Sequence, residues 1–438
     1  NKAMHQSLSE LLAFSKKPAN NSIFLLVLTI SCKEKYSKSI TITDKAALDK
    51  LIDDQISEGL HPFLYLRLED IQGKVLYEHS AVNNDLLPGV RINKDTWIRI
   101  WSMSKIVTIT IIMDLIEDNI LNLDEPVTKY IPEFENLMVA TDLNGTSLAL
   151  SDSFSKICSY VLEPVKNKMT LRHLINHEAG FYYATTKNKC INSTLADQSI
   201  PIAIDGNDLI NKFSKVPLIQ QPGESHFYGL NTTVLGLVAE RATHTDLATL
   251  VKLRMTKKLG INGLKYNLAI DEELLPCATG IDTVLRLVRE NELDIFGPAF
   301  PTYSSDNRAF LGGEGMIATA DGYSDFLRIF LNKGMLNGKS FLKVKSINEI
   351  TSPQTQLDSK WGYNGYNLWV TGDTLRASGW GDEGLWQGGG YEGTQFWIDP
   401  KRGFVGVLMT QSNSLQQEAY EFYNNFRGEL YNQIFNNE

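Results

Sequence analysis

The chain has 438 residues, of which 43% are hydrophobic and 21% charged, and its formal net charge is −9. This length is ample for a large hydrophobic core, in one large domain or two intimate ones. The acidic balance, without a basic stripe, excludes nucleic acid and anionic membrane surfaces as expected partners. The sequence contains no phosphate-binding loop, dinucleotide fingerprint or His-Glu-x-x-His zinc motif, and we expect neither a cofactor nor a metal.

The N-terminal segment, residues 1–40, has two interpretations. Lys16 and Lys17 precede a short apolar run over 23–31, which ends at Cys32. This order resembles a bacterial lipoprotein signal with a lipid anchor at Cys32, which predicts a periplasmic or cell-envelope protein. Alternatively, the run is a strand or helix packed on the body, and the protein is then expected in the cytoplasm. The run is too short to span a bilayer.

Hydrophobic periodicity predicts the further elements in chain order. A helix over about 44–58 precedes strands over 63–69 and 74–79, which Gly73 helps to connect in a tight turn. The helix that begins at Ser102 and runs to about residue 119 is apolar on most sides, so we expect it to be buried and central. Later segments are predicted as helices at 171–176, 206–214, 232–242, 248–258, 322–332 and 416–435, and as strands at 366–370, 375–378, 394–398 and 404–410.

Strands near both chain ends must share one sheet if either group is to be buried on both faces. The predicted fold class is α/β, of the α+β type: an antiparallel β-sheet built from both chain ends, flanked by helices, with an inserted, mainly helical lobe. We expect one domain over 41–438. Its α/β body would span about 41–120 and 300–438, and its helical lobe about 121–299.

Ser102 and Lys105 form the most informative pattern in the chain. Three residues apart on the first turn of a helix, their side chains lie on one face. A lysine amine can take the proton of a serine hydroxyl when desolvation and nearby positive charge lower the lysine pKa. The helix N-terminus adds a positive dipole end beside the developing oxyanion. Ser-x-x-Lys therefore predicts a serine-hydrolase nucleophile, although the bare pattern also fits an N-cap serine followed by a surface lysine.

Six segments of the chain carry a pattern that recurs, in this order, in a known family. The segments are 98–105 (IRIWSMSK), 121–134 (LNLDEPVTKYIPEF), 169–181 (MTLRHLINHEAGF), 221–236 (QPGESHFYGLNTTVLG), 312–321 (GGEGMIATAD) and 389–400 (GGYEGTQFWIDP). Together they resemble the serine β-lactamase and penicillin-binding-protein superfamily, in the class C-like branch that includes family VIII carboxylesterases. The resemblance implies a β-lactamase/DD-peptidase-like fold and a catalytic domain over 41–438.

The resemblance implies three catalytic residues. Ser102 would form an acyl-enzyme, Lys105 would hold the Ser102 proton, and Tyr228 would relay a proton between Ser102 and the leaving group. The family's Tyr-x-Asn is Tyr-Gly-Leu here, so Leu230 occupies the substrate-binding asparagine position and cannot form its hydrogen bond. Asn231 lies one residue later, and is expected either to cap the next helix or to reflect a shifted register.

The last motif also departs from the family. β-Lactamases have Lys-Thr-Gly, DD-peptidases often His-x-Gly and esterases often Trp-Gly-Gly. Counting back from Gly393 puts Gly388 at the lysine position, and one or two extra residues would put Gln387 or Trp386 there. No register supplies a cation, so the carboxylate clamp of β-lactamases is expected to be weakened or missing.

The same segment is implied to form the oxyanion hole. The backbone N–H groups of Ser102 and of the region near Tyr391 would bind the oxyanion. Gly389 and Gly390 would let the strand edge approach the acyl group closely.

Other candidate residues are expected to be structural. Ser305 opens a Ser-Asp-Asn triplet that matches a class A β-lactamase motif, which we interpret as coincidence. His177 is predicted to be a hydrogen-bonded core residue, since Lys105 and Tyr228 already fill the proton-transfer role. The four cysteines match no zinc or Cys-x-x-Cys spacing; Cys158 and Cys190 could form a disulfide, but buried free thiols are expected.

These residues predict a serine hydrolase, in particular a carboxylesterase for small or short-chain esters. The alternatives are a D-amino-acid peptidase or DD-carboxypeptidase-like enzyme, a weak class C-type β-lactamase, an acyltransferase that uses the same site, and an inactive scaffold. The expected partner is a small-molecule ester or peptide. The sequence makes no prediction of oligomeric state.

Overall fold

The computed structural model describes residues 40–151, 159–280, 284–290, 292, 295–297, 299–355, 362–372, 384–413 and 417–435. The N-terminal segment with Cys32, the predicted strand at 375–378, and Cys158 lie outside these residues. Within the described ranges, no helix combines the length and the apolar character needed to cross a membrane.

Helices and strands follow one another throughout the described chain. The strands are β1 (Phe63–Asp70), β2 (Val75–Val82), β3 (Ile98–Arg99), β4 (Met138–Thr141), β5 (Val161–Pro164), β6 (Leu264–Lys265), β7 (Ala278–Thr279), β8 (Arg286–Leu287), β9 (Ile317–Ala318), β10 (Met335–Leu336), β11 (Lys339–Ser340), β12 (Gly362–Asn364), β13 (Trp369–Thr371), β14 (Trp386–Gly389), β15 (Gln395–Asp399), β16 (Phe404–Met409) and β17 (Ser412–Asn413). The helices are α1 (Lys45–Ser57), α2 (Ser104–Glu117), α3 (Leu171–Ile175), α4 (Lys189–Ala196), α5 (Gly206–Phe213), α6 (Asn231–Thr243), α7 (Leu247–Leu250), α8 (Lys257–Leu259), α9 (Ala320–Leu331), α10 (Val344–Ile350) and α11 (Gln417–Phe435).

A seven-stranded antiparallel sheet joins the two ends of the described chain. Its strand order is β12-β13-β14-β15-β16-β1-β2. The early strand β1 pairs with the late strand β16, with Tyr65 opposite Met409 and Asp70 opposite Phe404. The predicted sheet built from both ends is therefore confirmed.

Both faces of this sheet are buried, as the alternation of side chains along β1 shows. Leu64, Leu66 and Leu68 face a cluster that contains Phe426 of α11 and Leu48 of α1. Phe63 and Tyr65 belong to the larger core on the opposite face, where α2 and α9 lie. Helices thus cover the sheet on both sides, and the larger core positions α2.

The α2 helix is buried almost throughout, as its apolar composition predicts. Every residue from Ser104 to Leu115 is buried. Its hydroxyl groups find partners inside the core: Thr108 donates to the Gly312 carbonyl at 2.6 Å. At its start, Tyr323 of α9 donates to the Met103 carbonyl at 2.9 Å. These contacts fix the position of the turn that carries Ser102.

Several predicted elements differ from the structure. The strand predicted at 366–370 begins only at Trp369, because residues 365–368 turn into it and Asn367 has a left-handed φ of 60°. The helix predicted at 248–258 contains a π-helical segment, Val251–Thr256. Cys277 is a buried free thiol, as expected, whereas the expectation of a free thiol is wrong for Cys190, which is disulfide-bonded.

Candidate active site

The turn that carries Ser102 is fixed from both sides. β3 pairs with β9, and the Ile100 N–H donates to the Met316 carbonyl at 3.2 Å. Trp101 then adopts a φ of 43°, a left-handed conformation that is costly for a residue with a side chain. Its buried ring packs edge-on against Tyr391, with 5.2 Å between centroids. Ser102 follows in a 3₁₀ turn, partly exposed, and lines a cavity.

The amine of Lys105 contacts the hydroxyl of Ser102 from the protein interior. Its Nζ is 3.2 Å from the Ser102 Oγ, 2.7 Å from the Tyr183 hydroxyl oxygen and 3.0 Å from the Gly313 carbonyl oxygen. A fourth acceptor, the Glu314 Oε1, is 2.9 Å away, and both members of this ion pair are fully buried. The Ser-x-x-Lys spacing thus brings the Ser102 hydroxyl and the Lys105 amine together, and the amine is further surrounded by acceptors of the protein.

The carboxylate of Glu314 changes the expected chemistry of Lys105. Burial is the largest influence and lowers the pKa of the lysine amine, but the charges and hydrogen bonds of Glu314 and, after it, Tyr228 together outweigh burial and raise the pKa of Lys105 above its usual value. The expectation that positive charge and desolvation lower this pKa is therefore wrong, because the neighbouring charge is negative. Lys105 is an ammonium at neutral pH.

Two tyrosines flank the ammonium, and the sequence predicts only one of them, Tyr228. The Lys105 Nζ is 5.0 Å from the centroid of the Tyr228 ring and 5.3 Å from that of Tyr183. Tyr183 donates its hydroxyl to Glu314 at 2.5 Å, and burial followed by the Glu314 charge raises the pKa of Tyr183 well above its usual value. Tyr228 is 43% exposed and lines the same cavity as Ser102. Tyr183 is thus a neutral, buried phenol, whereas Tyr228 is open to a substrate.

His177 holds the segment that carries Tyr228. Its Nδ1 accepts the backbone N–H of Gly229 at 3.2 Å and lies 3.2 Å from the Asn231 Nδ2. Burial, followed by the charge of Lys105, lowers the pKa of His177 well below its usual value, so the ring is neutral. The prediction of a hydrogen-bonded core histidine is confirmed. The predicted helix cap at Asn231 is wrong, because Asn231 is the first residue of α6 and its side chain binds the neighbouring loop instead.

The glycine segment of β14 lies beside Ser102. Gly388 and Gly389 line the cavity together with Ser102. A Cβ at Gly390 would lie 2.6 Å from the Ile100 carbonyl oxygen, so only glycine permits this approach of the strand end to the nucleophile segment. With Tyr391 packed on Trp101, the predicted oxyanion residues meet at one place, and their role as an oxyanion hole stays a prediction.

The cavity has a volume of about 190 Å³ and a mixed polar and aromatic lining. Among the described residues that line it there is no lysine or arginine. A side chain at Gly388 would collide with the Phe396 ring, 2.6 Å from its Cβ position. The lining residues are Ser102, Ile175, Asn176, His177, His226, Tyr228, Gln354, Thr355, Asn364, Gly365, Asn367, Leu368, Trp369, Gln387, Gly388, Gly389 and Phe396.

Two candidate residues lie elsewhere. Leu230 is fully buried in the core and does not line the cavity, so its side chain has no surface there for a substrate. Ser305 of the Ser-Asp-Asn triplet is exposed, and its neighbour Asn307 donates to the Thr302 carbonyl at 3.3 Å in its own loop. Within the described ranges, no group of three or more His, Cys, Asp or Glu residues could hold a metal ion.

The chain is similar to known proteins over most of its length. The family model described as Beta-lactamase matches residues 71–428. An uncharacterized protein of Mycobacterium tuberculosis is 25% identical over 354 residues, which cover 77% of this chain and 83% of that protein. Esterase EstB of Burkholderia gladioli is 25% identical over 358 residues, with 78% of this chain and 83% of EstB covered.

A solved structure shows the same fold. EstCE1, described as a hydrolase with promiscuous acyltransferase activity, superposes with a TM-score of 0.67 at 19% identity and covers 90% of this chain and 98% of its own. At this identity the likeness concerns the fold alone.

Proposed function

Because this chain belongs to the Beta-lactamase family, we propose that it is a serine hydrolase that cleaves small carboxylic esters through an acyl-enzyme on Ser102. The observation that carries the proposal is the position of Ser102, with its Oγ 3.2 Å from the Lys105 ammonium and its side chain open to a cavity. Esterase EstB, similar over most of both chains, supports the ester as substrate class.

The proposed reaction needs only groups of the chain and the substrate. The Ser102 Oγ attacks the ester carbonyl carbon, and the bond from that carbon to the alkoxy oxygen breaks. The Ser102 proton passes to the Tyr228 oxygen while the Tyr228 proton passes to the leaving alkoxide, so tyrosine ends as it began. Backbone N–H groups of Ser102 and Tyr391 would hold the oxyanion. Water then attacks the acyl-enzyme by the reverse relay and releases the acid.

The cavity supports a neutral, short substrate. Its 190 Å³ is smaller than the roughly 300–1,000 Å³ typical of sites for drug-sized ligands. The amide side chains of Asn364, Asn367 and Gln354 offer hydrogen bonds without charge. A substrate carboxylate, which β-lactams and D-peptides carry, would find no cationic partner among the described lining residues. We therefore rank peptidase and β-lactamase activity below ester cleavage.

Acyl transfer is the second candidate activity. It uses the same acyl-enzyme, with an alcohol in place of water as the second nucleophile. EstCE1, which shares the fold, is a hydrolase with promiscuous acyltransferase activity. The lipid anchor at Cys32 also stays a prediction and concerns where the enzyme works rather than the reaction.

The proposal is tested by hydrolysis of p-nitrophenyl acetate, butyrate and octanoate beside nitrocefin. We expect the short esters to be cleaved fastest, nitrocefin to be turned over poorly, and Ser102→Ala to lose the activity. Ser305→Ala is the matched control, because it removes an exposed serine hydroxyl outside the cavity. Full ester hydrolysis by Ser102→Ala would overturn the mechanism, and faster turnover of nitrocefin than of any ester would overturn the substrate class.

A further inference from the structure

Glu314 is a buried carboxylate that the catalytic scheme above does not use. It accepts hydrogen bonds from the Lys105 Nζ at 2.9 Å, from the Tyr183 hydroxyl at 2.5 Å and from the Thr233 hydroxyl at 2.5 Å. Thr233 in turn accepts the backbone N–H of Gly313 at 3.0 Å. Three donors from three separate chain segments thus hold one carboxylate in place directly behind the nucleophile.

We propose that Glu314 is a positioning residue that keeps Lys105 an ammonium and directs it at Ser102, so that Lys105 supplies positive charge instead of accepting the serine proton. The inference rests on the proposed role of Ser102 as nucleophile. It assigns the proton relay to Tyr228 and gives Lys105 a constant charge through the catalytic cycle.

Of the described charged and titratable groups around Lys105, Glu314 supplies the negative charge that balances the ammonium. From the segment after α3, Tyr183 and His177 face the amine, and both are neutral at pH 7. Tyr228 faces the amine from the loop before α6, and the proton relay leaves the Tyr228 hydroxyl protonated, as it was at the start. Among the residues that the structure describes, Glu314 is the carboxylate that contacts the amine. A fully buried ammonium without a counter-charge is costly, and the group then loses its proton instead.

The two roles of Lys105 predict opposite effects of Glu314→Gln on the pH profile. Without the carboxylate, the buried Lys105 loses its proton at lower pH. If the ammonium is required, the alkaline limb of kcat/KM for p-nitrophenyl butyrate moves at least one pH unit lower than in the wild type. If a neutral amine were the base, activity at neutral pH would rise and the acid limb would move lower. That rise, or an unchanged profile, would overturn the proposal.

Two further variants make the test independent of a general structural defect. Glu314→Asp keeps the charge but withdraws it by one carbon–carbon bond, so we expect a smaller shift of the alkaline limb in the same direction. If Glu314→Gln does not fold, Glu314→Asp decides, and an alkaline limb at the wild-type pH would contradict the inference. Glu240→Gln is the matched control: it is the same substitution at a mostly buried carboxyl of α6, which accepts the Leu247 N–H of α7 and does not line the cavity. Its alkaline limb should stay where it is.

A measurement without substrate separates this inference from the proposed function. In Glu314→Gln, unfolding exposes a deprotonated lysine to water, where it takes up a proton below about pH 10. The stability of the variant therefore rises with pH, and the gap in melting temperature to the wild type narrows between pH 7 and 10. A constant gap in melting temperature would refute the role of Glu314, even if the wild type hydrolysed no ester. Ester hydrolysis that survives Ser102→Ala, with a narrowing gap, would refute the proposed function alone.

Discussion

Replacing each of the two active-site tyrosines by phenylalanine should give two different defects. Tyr228→Phe removes the hydroxyl to which we assign the proton relay, in a side chain that is 43% exposed and open to the cavity. Tyr183→Phe removes a buried hydroxyl that accepts from Lys105 at 2.7 Å and donates to Glu314 at 2.5 Å. The first variant should lose catalysis, and the second should mainly lose stability.

The magnitudes follow from the contacts. A positioned group that transfers a proton accelerates a reaction about 10²–10⁴-fold. Tyr228→Phe should therefore lower kcat/KM by this factor, which corresponds to a loss of about 3–5 kcal/mol of transition-state stabilisation. Tyr183→Phe removes two hydrogen bonds to charged groups, each worth about 1.5–3 kcal/mol. Lys105 still keeps Ser102, Gly313 and Glu314 as acceptors in that variant. The two bonds together amount to about 3–6 kcal/mol, and because Lys105 and Glu314 keep other partners we expect a stability loss at the lower end, about 3–4 kcal/mol, with kcat/KM reduced by no more than about tenfold.

The assay combines kcat/KM for p-nitrophenyl butyrate with thermal melts of the same preparations. Tyr182→Phe is the matched control, because Tyr182 is the buried neighbour whose hydroxyl donates to the Ile191 carbonyl at 2.9 Å away from the nucleophile. It should lose about 1 kcal/mol of stability and keep its activity. If Tyr183→Phe loses as much activity as Tyr228→Phe or more, while remaining folded, the assignment of the relay to Tyr228 is refuted.

Three further predictions concern the strand end, the core and pH. Gly390→Ala should lower kcat/KM at least 100-fold, because its Cβ would lie 2.6 Å from the Ile100 carbonyl oxygen; wild-type rates would show that the strand end can move. Phe426→Ala should lower the free energy of unfolding by about 3–5 kcal/mol, which denaturant titration measures. The Phe426 ring is fully buried and packs against the sheet, with 5.8 Å between its centroid and that of the Tyr77 ring. Burial raises the pKa of Glu240 to about 7, so the folded state holds a proton that the unfolded state has lost, and stability from this group falls as pH rises from about 4.5 to 7. Glu240→Gln should therefore gain stability relative to the wild type at pH 8 but not at pH 4, by about 3 kcal/mol at most, and an equal difference at both pH values would exclude this cause.

The parts of the fold that the sequence predicts best are those whose residues show a strong apolar run or period. The short runs of strand-forming residues at 63–69 and 404–410 predicted β1 and β16 within one residue of their observed bounds, because strands that are buried on both faces have nearly continuous apolar sequences. The run of apolar residues after Ser102 likewise predicted a central helix. The glycine-rich β14 has no such period, since three of the residues at 386–390 have no side chain to alternate. Its place in the sheet depends on its pairing with β15, which is a tertiary contact.

The same limit applies to the site. Ser102 and Lys105 could be paired from the sequence, because a spacing of three residues along one helical turn places their side chains close together. Glu314 lies 209 residues from Lys105. An acidic residue at this position, between glycines in the otherwise apolar run 309–318, was the available clue. Its charge reverses the expected direction of the Lys105 pKa, so a correct pair of residues led to an incorrect protonation state. In a Ser-x-x-Lys site, then, the helix fixes which groups meet, but the residues that contact the amine from other segments decide whether it acts as a base or as a fixed positive charge.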